Sequence, residues 1–335
     1  MSKNNKDEKC SKLSIKQKLA ITFSSIFAFF AVIITVAYFL VGHYAFAFAL
    51  NSEVKDNGRS PVEVAEDVTD FEIQYPDTNR DWFKEVDINV KNIYSDDGYK
   101  LYGYEILNMV ASDKWLISVH GYRGSAIEQG LYAEAFYNEG YNILLPDLEG
   151  HGNSQGKYVG MGYYDRFDIL KWINLVIEEN PKAQIVLHGV SMGGATVLMT
   201  TGENLPRNVK VAISDCAYSN VEEEFLYLVD EYFDLPFKNF IMSAANVMSK
   251  IRIGVDFKQI NIVDAVEKSK TPTLFIHGTE DKFVPFYMLD KLYNANKLIQ
   301  KQKLIVNDAH HGMSATVETE LYFETVFTFV DNYID

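Results

Sequence analysis

Residues 188–196 read His-Gly-Val-Ser-Met-Gly-Gly-Ala-Thr and directly follow the apolar run Gln-Ile-Val-Leu at 184–187. A Gly-x-Ser-x-Gly between a strand and a helix is typical of a nucleophile elbow, a sharp and strained turn that presents a serine. A side chain at Gly189 or Gly193 would collide there with the neighbouring strand or helix. The stretch therefore predicts that Ser191 lies at the top of a sheet, in a fold where strands alternate with helices. A motif this short also occurs by chance, so its meaning depends on the rest of the chain.

The same turn offers a hydrogen-bond donor for a negatively charged oxygen. Met192 would begin the new helix, where its backbone N–H can face a developing oxyanion. A second donor is expected in the loop after an earlier strand. The sequence Ser-Val-His-Gly-Tyr-Arg-Gly at 118–124 fits this position, because Gly121 allows a close approach. We therefore expect the N–H groups of Tyr122 and Met192 to form an oxyanion hole.

A serine hydroxyl needs a histidine base, and that base needs an orienting carboxylate. In folds with this elbow the chain order is serine, acid, histidine. Asp281 follows the apolar run at 273–276 and lies in Asp-Lys-Phe-Val-Pro, a turn that would hold a short carboxylate near the sheet edge. It is preferred over Glu280, which is expected to point to solvent. The structural alternative is that Asp281 only caps the helix starting near Pro285.

The base is expected in the loop after the last strand, where Ala-His-His-Gly-Met-Ser occupies 309–314. Two adjacent histidines cannot both face one serine. His311 is preferred because the following Gly-x-Ser suits a tight turn, and His310 remains the alternative. Four other histidines adjoin a glycine and are predicted to bond to loop backbone: His120, His151, His188 and His277.

Nothing in the sequence implies a metal or an organic cofactor. The two cysteines, Cys10 and Cys216, lie far apart in unlike settings and indicate neither a disulfide framework nor a metal site. The formal net charge of −15 at pH 7 argues against nucleic acid as a partner.

The charge is unevenly distributed along the chain. Residues 1–18 hold six lysines against one aspartate and one glutamate, and residues 19–41 hold no charged side chain. A helix of that length, at about 1.5 Å per residue, spans a hydrocarbon core of about 30 Å. We therefore predict a basic cytoplasmic N-terminus at 1–18, a transmembrane signal-anchor at 19–41, and a catalytic domain outside the cell membrane.

Two other interpretations of this segment stay open. Ala-Phe-Ala occurs at 45–47 and again at 47–49, which fits the cleavage pattern of a secretory signal peptide. The protein would then be secreted after cleavage. A buried core helix is the third interpretation, although such helices are not normally uncharged for so long.

The remainder of the chain predicts one large α/β domain. Residues 51–85 are polar and acidic and are expected to form a stalk. A hairpin over 86–106 opens the domain at 86–335, whose alternating strands and helices predict a mostly parallel sheet with helices on both faces. Strands are predicted at 115–119, 141–145, 185–187, 209–214, 273–276 and 303–306, and helices at 126–138, 164–178 and 316–332.

Two stretches depart from simple alternation. Residues 218–262 are rich in aromatic residues and methionine and predict two or three amphipathic helices. We interpret them as a small helical lid over an apolar pocket, with packing against the sheet as the alternative. The glycine-rich loop at 145–156 lacks a phosphate-binding pattern and is predicted to brace the oxyanion loop.

Five motifs together resemble the α/β-hydrolase superfamily over about residues 86–335. They are His120-Gly, Pro146-Asp-x-x-Gly-His-Gly-x-Ser154, Gly189-x-Ser-x-Gly-Gly194, His277-Gly-x-x-Asp-x-x-Val-Pro285 and His311-Gly-x-Ser314. The chain is most similar to bacterial, membrane-anchored or cytosolic serine hydrolases of acyl-thioesterase-like and prolyl-oligopeptidase-like type. The resemblance implies an eight-stranded sheet, with Ser191, Asp281 and His311 as nucleophile, acid and base. The doubled histidine departs from the family pattern.

The expected activity is a carboxylesterase that acts through an acyl-enzyme on small or medium acyl esters. A serine peptidase or aminopeptidase of the same fold is the alternative enzyme. An anchored binding module with an inactive fold is the alternative without catalysis. An acyl-CoA thioesterase fits poorly with a domain outside the cytoplasm, and a dehalogenase would need aspartate in place of Ser191.

Overall fold

The computed structural model describes residues 14–52, 82–233 and 236–335. The basic N-terminus predicted at 1–18 therefore lies outside the described residues up to position 13. The stalk predicted at 51–85 lies outside them except at its two ends. At the second end, Trp82–Lys84 forms a short 3-10 helix.

The first helix, α1, spans Ile15–Leu50 and contains the whole segment predicted to cross a membrane. It begins with a capping box, in which the Ser14 hydroxyl accepts from Gln17 N–H and the Gln17 amide accepts from Ser14 N–H. The helix is long and apolar enough to cross a bilayer. It also continues nine residues beyond the predicted end at 41, through Gly42, because residues 42–50 contain no proline.

Eight strands form one sheet with the spatial order β1-β2-β4-β3-β5-β6-β7-β8. The strands are β1 Asn89–Tyr94, β2 Lys100–Ile106, β3 Lys114–Val119, β4 Asn142–Pro146, β5 Gln184–Val190, β6 Val209–Asp215, β7 Thr273–Gly278 and β8 Lys301–Val306. The β1–β2 and β2–β4 pairs are antiparallel, and all other pairs are parallel. The predicted eight-stranded, mostly parallel sheet is confirmed.

Helices cover both faces of the sheet, because its central strands are apolar on both sides. After α1 the helices are α2 Gly130–Asn138, α3 Asp165–Glu179, α4 Met192–Thr201, α5 Val221–Tyr232, α6 Lys238–Arg252, α7 Ile262–Lys268, α8 Tyr287–Ala295, α9 Ser314–Val317 and α10 Thr319–Val330. One buried cluster includes Trp172 of α3 and Leu198 of α4. The other includes Phe136 of α2 and Val326 of α10.

Two predicted segments can be compared with these helices. The stretch at 218–262 contains α5 and α6, so the prediction of successive helices there is confirmed. The single terminal helix predicted at 316–332 is wrong. It consists of α9 and α10, which are separated at Glu318 because this residue has non-helical dihedrals of φ −128° and ψ 62°.

The last third of α1 packs against the α/β domain. Gly42, Phe46 and Leu50 are buried, whereas most of the apolar side chains before them are exposed. Gly42 lies directly on α6: a Cβ at this position would be 2.4 Å from the carbonyl oxygen of Ala244. This close approach joins α1 to α6, and the membrane-type helix is therefore part of the folded body.

Candidate active site

Ser191 occupies the sharp turn between β5 and α4. Its dihedrals are φ 58° and ψ −120°, a strained conformation for a residue with a side chain. The backbone N–H of Ser191 holds the turn in place by donating to the carbonyl of Asp215 on β6 at 2.8 Å. Ser191 is thereby presented at the carboxyl end of the sheet with 7% of its surface exposed.

The two glycines of the motif are required by space. A Cβ at Gly189 would be 2.3 Å from the carbonyl carbon and oxygen of Gly193. A Cβ at Gly193 would be 2.0 Å from the carbonyl oxygen of Val119 on β3. The predicted collisions with the neighbouring helix and strand are confirmed.

His311 lies between Ser191 and Asp281. Its Nε2 is 2.8 Å from Ser191 Oγ, and its Nδ1 is 2.7 Å from Asp281 Oδ2. An ionised carboxylate only accepts hydrogen bonds, so Nδ1 carries the proton and Nε2 is left to accept from the serine hydroxyl. Both distances lie within the range that proton transfer requires.

Asp281 is fixed by four groups. Its Oδ1 accepts from the N–H groups of Phe283 at 2.9 Å and Val284 at 2.8 Å, while Oδ2 lies 2.7 Å from His311 and 3.2 Å from His277. Burial alone would raise the pKa of Asp281. Hydrogen bonds from His277 and His311 outweigh that effect and hold the pKa well below its usual range. The carboxylate is therefore ionised. It does not cap the following helix, whose N-cap is Phe286 and has no side-chain cap hydrogen bond.

The structure separates the two adjacent histidines. His310 is exposed, and its Nδ1 lies 3.1 Å from the carbonyl oxygen of Glu280. His311 turns inward, where its ring packs beside Phe283 with centroids 4.9 Å apart. The side chain brought to Ser191 is thus that of His311, and Glu280 is exposed as expected.

The loop that carries Tyr122 passes directly over the serine. A Cβ on Gly121 would lie 3.5 Å from Ser191 Cβ, so the predicted close approach is present. Met192 directly follows Ser191 as the first residue of α4, where backbone N–H groups have no acceptor within the helix. The two predicted donor residues are thus chain neighbours of Ser191 and of Gly121, which lies against it.

Three buried histidines act as hydrogen-bond partners around this loop. His151 Nε2 accepts from Arg123 N–H, and His120 Nε2 accepts from Leu148 N–H, both at 3.1 Å. Burial lowers the pKa of His120 to about 4 and that of His151 to about 3, so both are neutral acceptors. His188 differs from the prediction because it contacts side chains, the hydroxyls of Ser118 and Tyr322.

The glycine-rich loop after β4 supports the same region. Asp147 Oδ1 accepts from Ala126 N–H at 2.8 Å, and Oδ2 accepts from Asn153 N–H at 2.9 Å. Together with the bond between His151 and Arg123, these contacts tie the two loops to each other. The predicted bracing role is confirmed.

Sequence analysis did not foresee the environments of two buried titratable residues, His277 and Glu224. His277 ends β7 and reaches Asp281 as well as the carbonyl of Val284. A histidine four residues before a candidate acid was the available signal. Glu224 on α5 is 2% exposed, and neither of its carboxyl oxygens has a partner among the described residues. It was hidden in the acidic first turn of a helix, where carboxylates normally complement the helix dipole.

The environment of Glu224 favours a neutral acid. Burial raises its pKa to about 9, and the charges of Asp281 and Glu223 add to the effect. This carboxyl group lies on α5, and the charge of Asp281 contributes to its raised pKa.

One set of potential metal ligands overlaps the serine site. The ligand atoms of Cys216, Asp281 and His311 lie within 4.8 Å of one another. Asp281 and His311 are already bonded to each other, and burial raises the pKa of the Cys216 thiol well above its ordinary value. A protonated thiol is a poor zinc ligand, so these residues fit a serine site better than a metal centre.

Comparisons with known proteins agree with this fold. Residues 111–257 match the sequence profile of the family described as serine aminopeptidase, S33. The uncharacterized protein YqkD of Bacillus subtilis is 28% identical over 239 residues, which cover 71% of this chain and 77% of that protein. The Pyrococcus furiosus esterase Pf2001 superposes with a TM-score of 0.62 and 25% identity, over 75% of this chain and 93% of that one. The acylaminoacyl peptidase of Pyrococcus horikoshii shares the fold, with a TM-score of 0.57 and 19% identity over 76% of this chain and 43% of its own.

The chain has the α/β-hydrolase fold. The profile and the solved structures that it resembles are those of hydrolases of the esterase and peptidase type.

Proposed function

We propose that this protein is a membrane-anchored serine hydrolase that cleaves carboxylic esters of small or medium acyl groups. The observation that carries the proposal is the chain of two short hydrogen bonds from Ser191 through His311 to Asp281, on a strained elbow. An elbow of this kind costs stability, and such strain persists where function requires it.

The geometry supports acyl transfer in two steps. Ser191 Oγ bonds to the carbonyl carbon of the ester while its proton passes to His311 Nε2. The tetrahedral oxyanion accepts hydrogen bonds from Tyr122 N–H and Met192 N–H. When the intermediate collapses, the carbon–oxygen bond to the leaving alcohol breaks and His311 returns the proton to that alcohol.

Water then hydrolyses the acyl-enzyme by the same route. The water oxygen attacks the acyl carbon while His311 takes a proton from the water. His311 then gives that proton to Ser191 Oγ as the bond between Ser191 and the acyl group breaks. Asp281 stays ionised throughout and stabilises the imidazolium, in keeping with its depressed pKa. Each oxyanion donor is expected to contribute roughly 10²–10³ in rate.

The packing of α1 favours an uncleaved anchor. Both Ala-Phe-Ala sequences lie in the helical segment 45–49, where Phe46 is buried and Leu50 follows as a buried residue. Cleavage after either sequence would remove Phe46, which packs in the domain core and against Tyr158. With lysines before the span, the domain would lie outside the cytoplasmic membrane.

The anchor is testable by mass and fractionation. We expect the 38.2 kDa full-length chain in the membrane fraction of a bacterial host, with its C-terminal domain open to external protease in spheroplasts. A soluble chain beginning near residue 48 or 50 would contradict the anchor and establish a cleaved signal.

A peptidase is the second candidate function, and Glu224 is the observation that favours it. A substrate ammonium group beside this buried carboxyl would stabilise its ionised form and supply the partner that it lacks among the described residues. The aminopeptidase description of the matched family points the same way. In that case the lid would select substrates with a free amino group.

One panel separates these functions. The full chain in detergent is assayed with p-nitrophenyl esters from acetate to palmitate and with aminoacyl and peptidyl p-nitroanilides, beside Ser191→Ala as control. Turnover of esters alone supports the esterase, and turnover of aminoacyl anilides that Glu224→Gln abolishes supports the aminopeptidase. If a fluorophosphonate fails to label Ser191 in folded protein, the protein is an anchored binding module instead.

A further inference from the structure

We propose that the last turn of α1 is part of the active site, where it holds the loop that carries Tyr122. The oxyanion hole would then be fully assembled only when this helix is docked on the α/β domain. This inference rests on the proposed function, because that function assigns the Tyr122 N–H to the oxyanion.

The carbonyl groups at the end of α1 carry the argument. The last four carbonyls of a helix have no donor within it. Here the first of them, that of Ala47, accepts from the C-cap residue Asn51 at 3.1 Å. The other three accept from the α/β domain: Phe48 from the Arg123 guanidinium at 2.7 Å, Ala49 from the Tyr122 hydroxyl at 2.5 Å and Leu50 from Val159 N–H at 2.8 Å. Two of these donors are consecutive residues of the proposed oxyanion loop.

Electrostatics strengthen the same contact. A helix carries a partial negative charge at its carboxyl end, and α1 has no basic residue of its own in the last turn. The Arg123 guanidinium supplies the positive charge there. The bond between Arg123 and Phe48 is therefore charge-assisted, which makes it stronger than a bond between neutral groups.

The loop needs support because its backbone is strained. Arg123 has φ 58°, in the left-handed region that side chains disfavour. Its N–H donates to His151 on one side, and its guanidinium reaches α1 on the other. Tyr122, the preceding residue, is tied to α1 by its hydroxyl. Loss of the α1 contacts would leave this strained turn with less to hold it, and the Tyr122 N–H would move away from Ser191.

The helix itself is held firmly enough to act as a support. Gly42 meets the backbone of Ala244 on α6, and the ring of Phe46 packs against Tyr158 with centroids 5.2 Å apart. Beyond the helix, Ser52 N–H donates to the carbonyl of Lys157 at 3.0 Å. The end of α1 is thus held both by α6 and by the segment that contains Lys157 and Tyr158.

The first test is Tyr122→Phe in the full chain, reconstituted in nanodiscs. This change keeps the backbone N–H and the ring but removes the bond to Ala49. We expect kcat on a p-nitrophenyl ester to fall about tenfold, a fraction of the roughly 10²–10³ that loss of a whole donor costs. The affinity for a trifluoromethyl ketone, whose adduct with serine carries an oxyanion, should fall by the same factor, while KM stays within about twofold.

The matched control is Tyr158→Phe. The Tyr158 hydroxyl accepts from Arg252 at 3.2 Å, and its ring also lies at the α1 interface, but the residue is outside the oxyanion loop. We expect unchanged kcat and inhibitor affinity for this variant. An equal loss in both variants would overturn the inference, because it would indicate general loosening of the domain.

A second variant changes the position of α1 at a residue that does not contact the loop. In Gly42→Ala the new methyl group would lie 2.4 Å from Ala244 O, so α1 must shift away from α6. We expect the same parallel loss of kcat and ketone affinity. The double variant with Tyr122→Phe should show little further loss, because both changes weaken the same contact between α1 and the loop that carries Tyr122. Independent, multiplying effects would contradict the inference.

Different results would refute the proposed function and the supporting role of α1. Wild-type protein that hydrolyses no ester and is not labelled at Ser191 would overturn the proposed function. Active wild-type protein with an unaffected Tyr122→Phe variant would overturn only the supporting role of α1.

Discussion

The adjacent residues His310 and His311 provide a matched pair of substitutions for the proposed mechanism. In His311→Ala, Ser191 loses the nitrogen 2.8 Å from its hydroxyl, and Asp281 loses its 2.7 Å partner. In His310→Ala, the hydrogen bond that is lost joins the imidazole to the Glu280 carbonyl at 3.1 Å, on the surface. The same chemical change is thus made one residue apart, in two different environments.

The expected effects differ by orders of magnitude. Loss of the base should lower kcat about 10⁴–10⁶-fold, which corresponds to about 5–8 kcal/mol at 1.36 kcal/mol per factor of ten. Loss of the exposed hydrogen bond of His310 should cost about 0.5–1.5 kcal/mol of stability. Because His310 does not contact Ser191, kcat in His310→Ala should stay within about twofold of the wild type.

The assay is steady-state hydrolysis of a p-nitrophenyl ester by the full-length variants, with thermal melts to establish that each is folded. Added imidazole should restore part of the activity of His311→Ala, because it can occupy the vacated volume beside Ser191 and accept the proton. A folded His311→Ala variant with more than about a tenth of wild-type kcat would refute the assignment of the base. A His310→Ala variant that is the more damaged of the two would refute it in favour of His310.

Three further predictions concern the rest of the site. Asp281→Asn should lower kcat about 10⁴-fold, because the neutral amide no longer fixes the His311 tautomer; a loss under tenfold in the same assay would contradict this. The pKa of Glu224 is raised from 4.5 to about 9, so its burial costs stability increasingly as the pH rises between these values. Glu224→Gln should therefore raise Tm more at pH 8 than at pH 5, and equal gains would contradict the shift. Gly193→Ala should lose at least about 2 kcal/mol of stability in denaturant titrations, since its methyl group would meet the Val119 carbonyl at 2.0 Å; an unchanged midpoint would show that the elbow can relax.

Features fixed by local chemistry were predictable from the sequence. The elbow needs glycine at 189 and 193 for reasons that operate within one turn, and the order serine, acid, histidine directs attention to two short loops. Even the choice of His311 over His310 follows from the turn at Gly312, whose φ is 69°. The structure brings the side chains of Ser191, Asp281 and His311 together as expected.

Tertiary packing explains what the sequence did not reveal. Hydropathy marks an uncharged segment at 19–41, but it cannot show that the helix continues to Leu50 and docks through Gly42. The carboxylate of Glu224 resembles an ordinary charge in the first turn of a helix, and only tertiary packing buries it. No sequence pattern predicts the hydrogen bond of the Tyr122 hydroxyl, because its acceptor lies 73 residues away in the chain.

The distribution of backbone strain links α1 to the surroundings of Ser191. Three non-glycine residues with positive φ, namely Arg123, Ser191 and Cys216, follow the neighbouring strands β3, β5 and β6. The carboxyl ends of parallel strands converge at one edge, so the loops leaving them must turn sharply, at a cost of about 1–3 kcal/mol each.

The three turns are held in different ways. Ser191 N–H and Cys216 N–H bond to carbonyls of the next strands, those of Asp215 at 2.8 Å and Ile276 at 2.9 Å, so the sheet itself supports them. The N–H of Arg123 donates instead to the His151 side chain, and its guanidinium is held by the last turn of α1. A chain deprived of α1 should therefore keep Ser191, His311 and Asp281 in register while its oxyanion loop loosens. The helix that we propose as the membrane anchor would then also sustain the rate of the proposed chemistry, because it supports a strained turn beside Ser191.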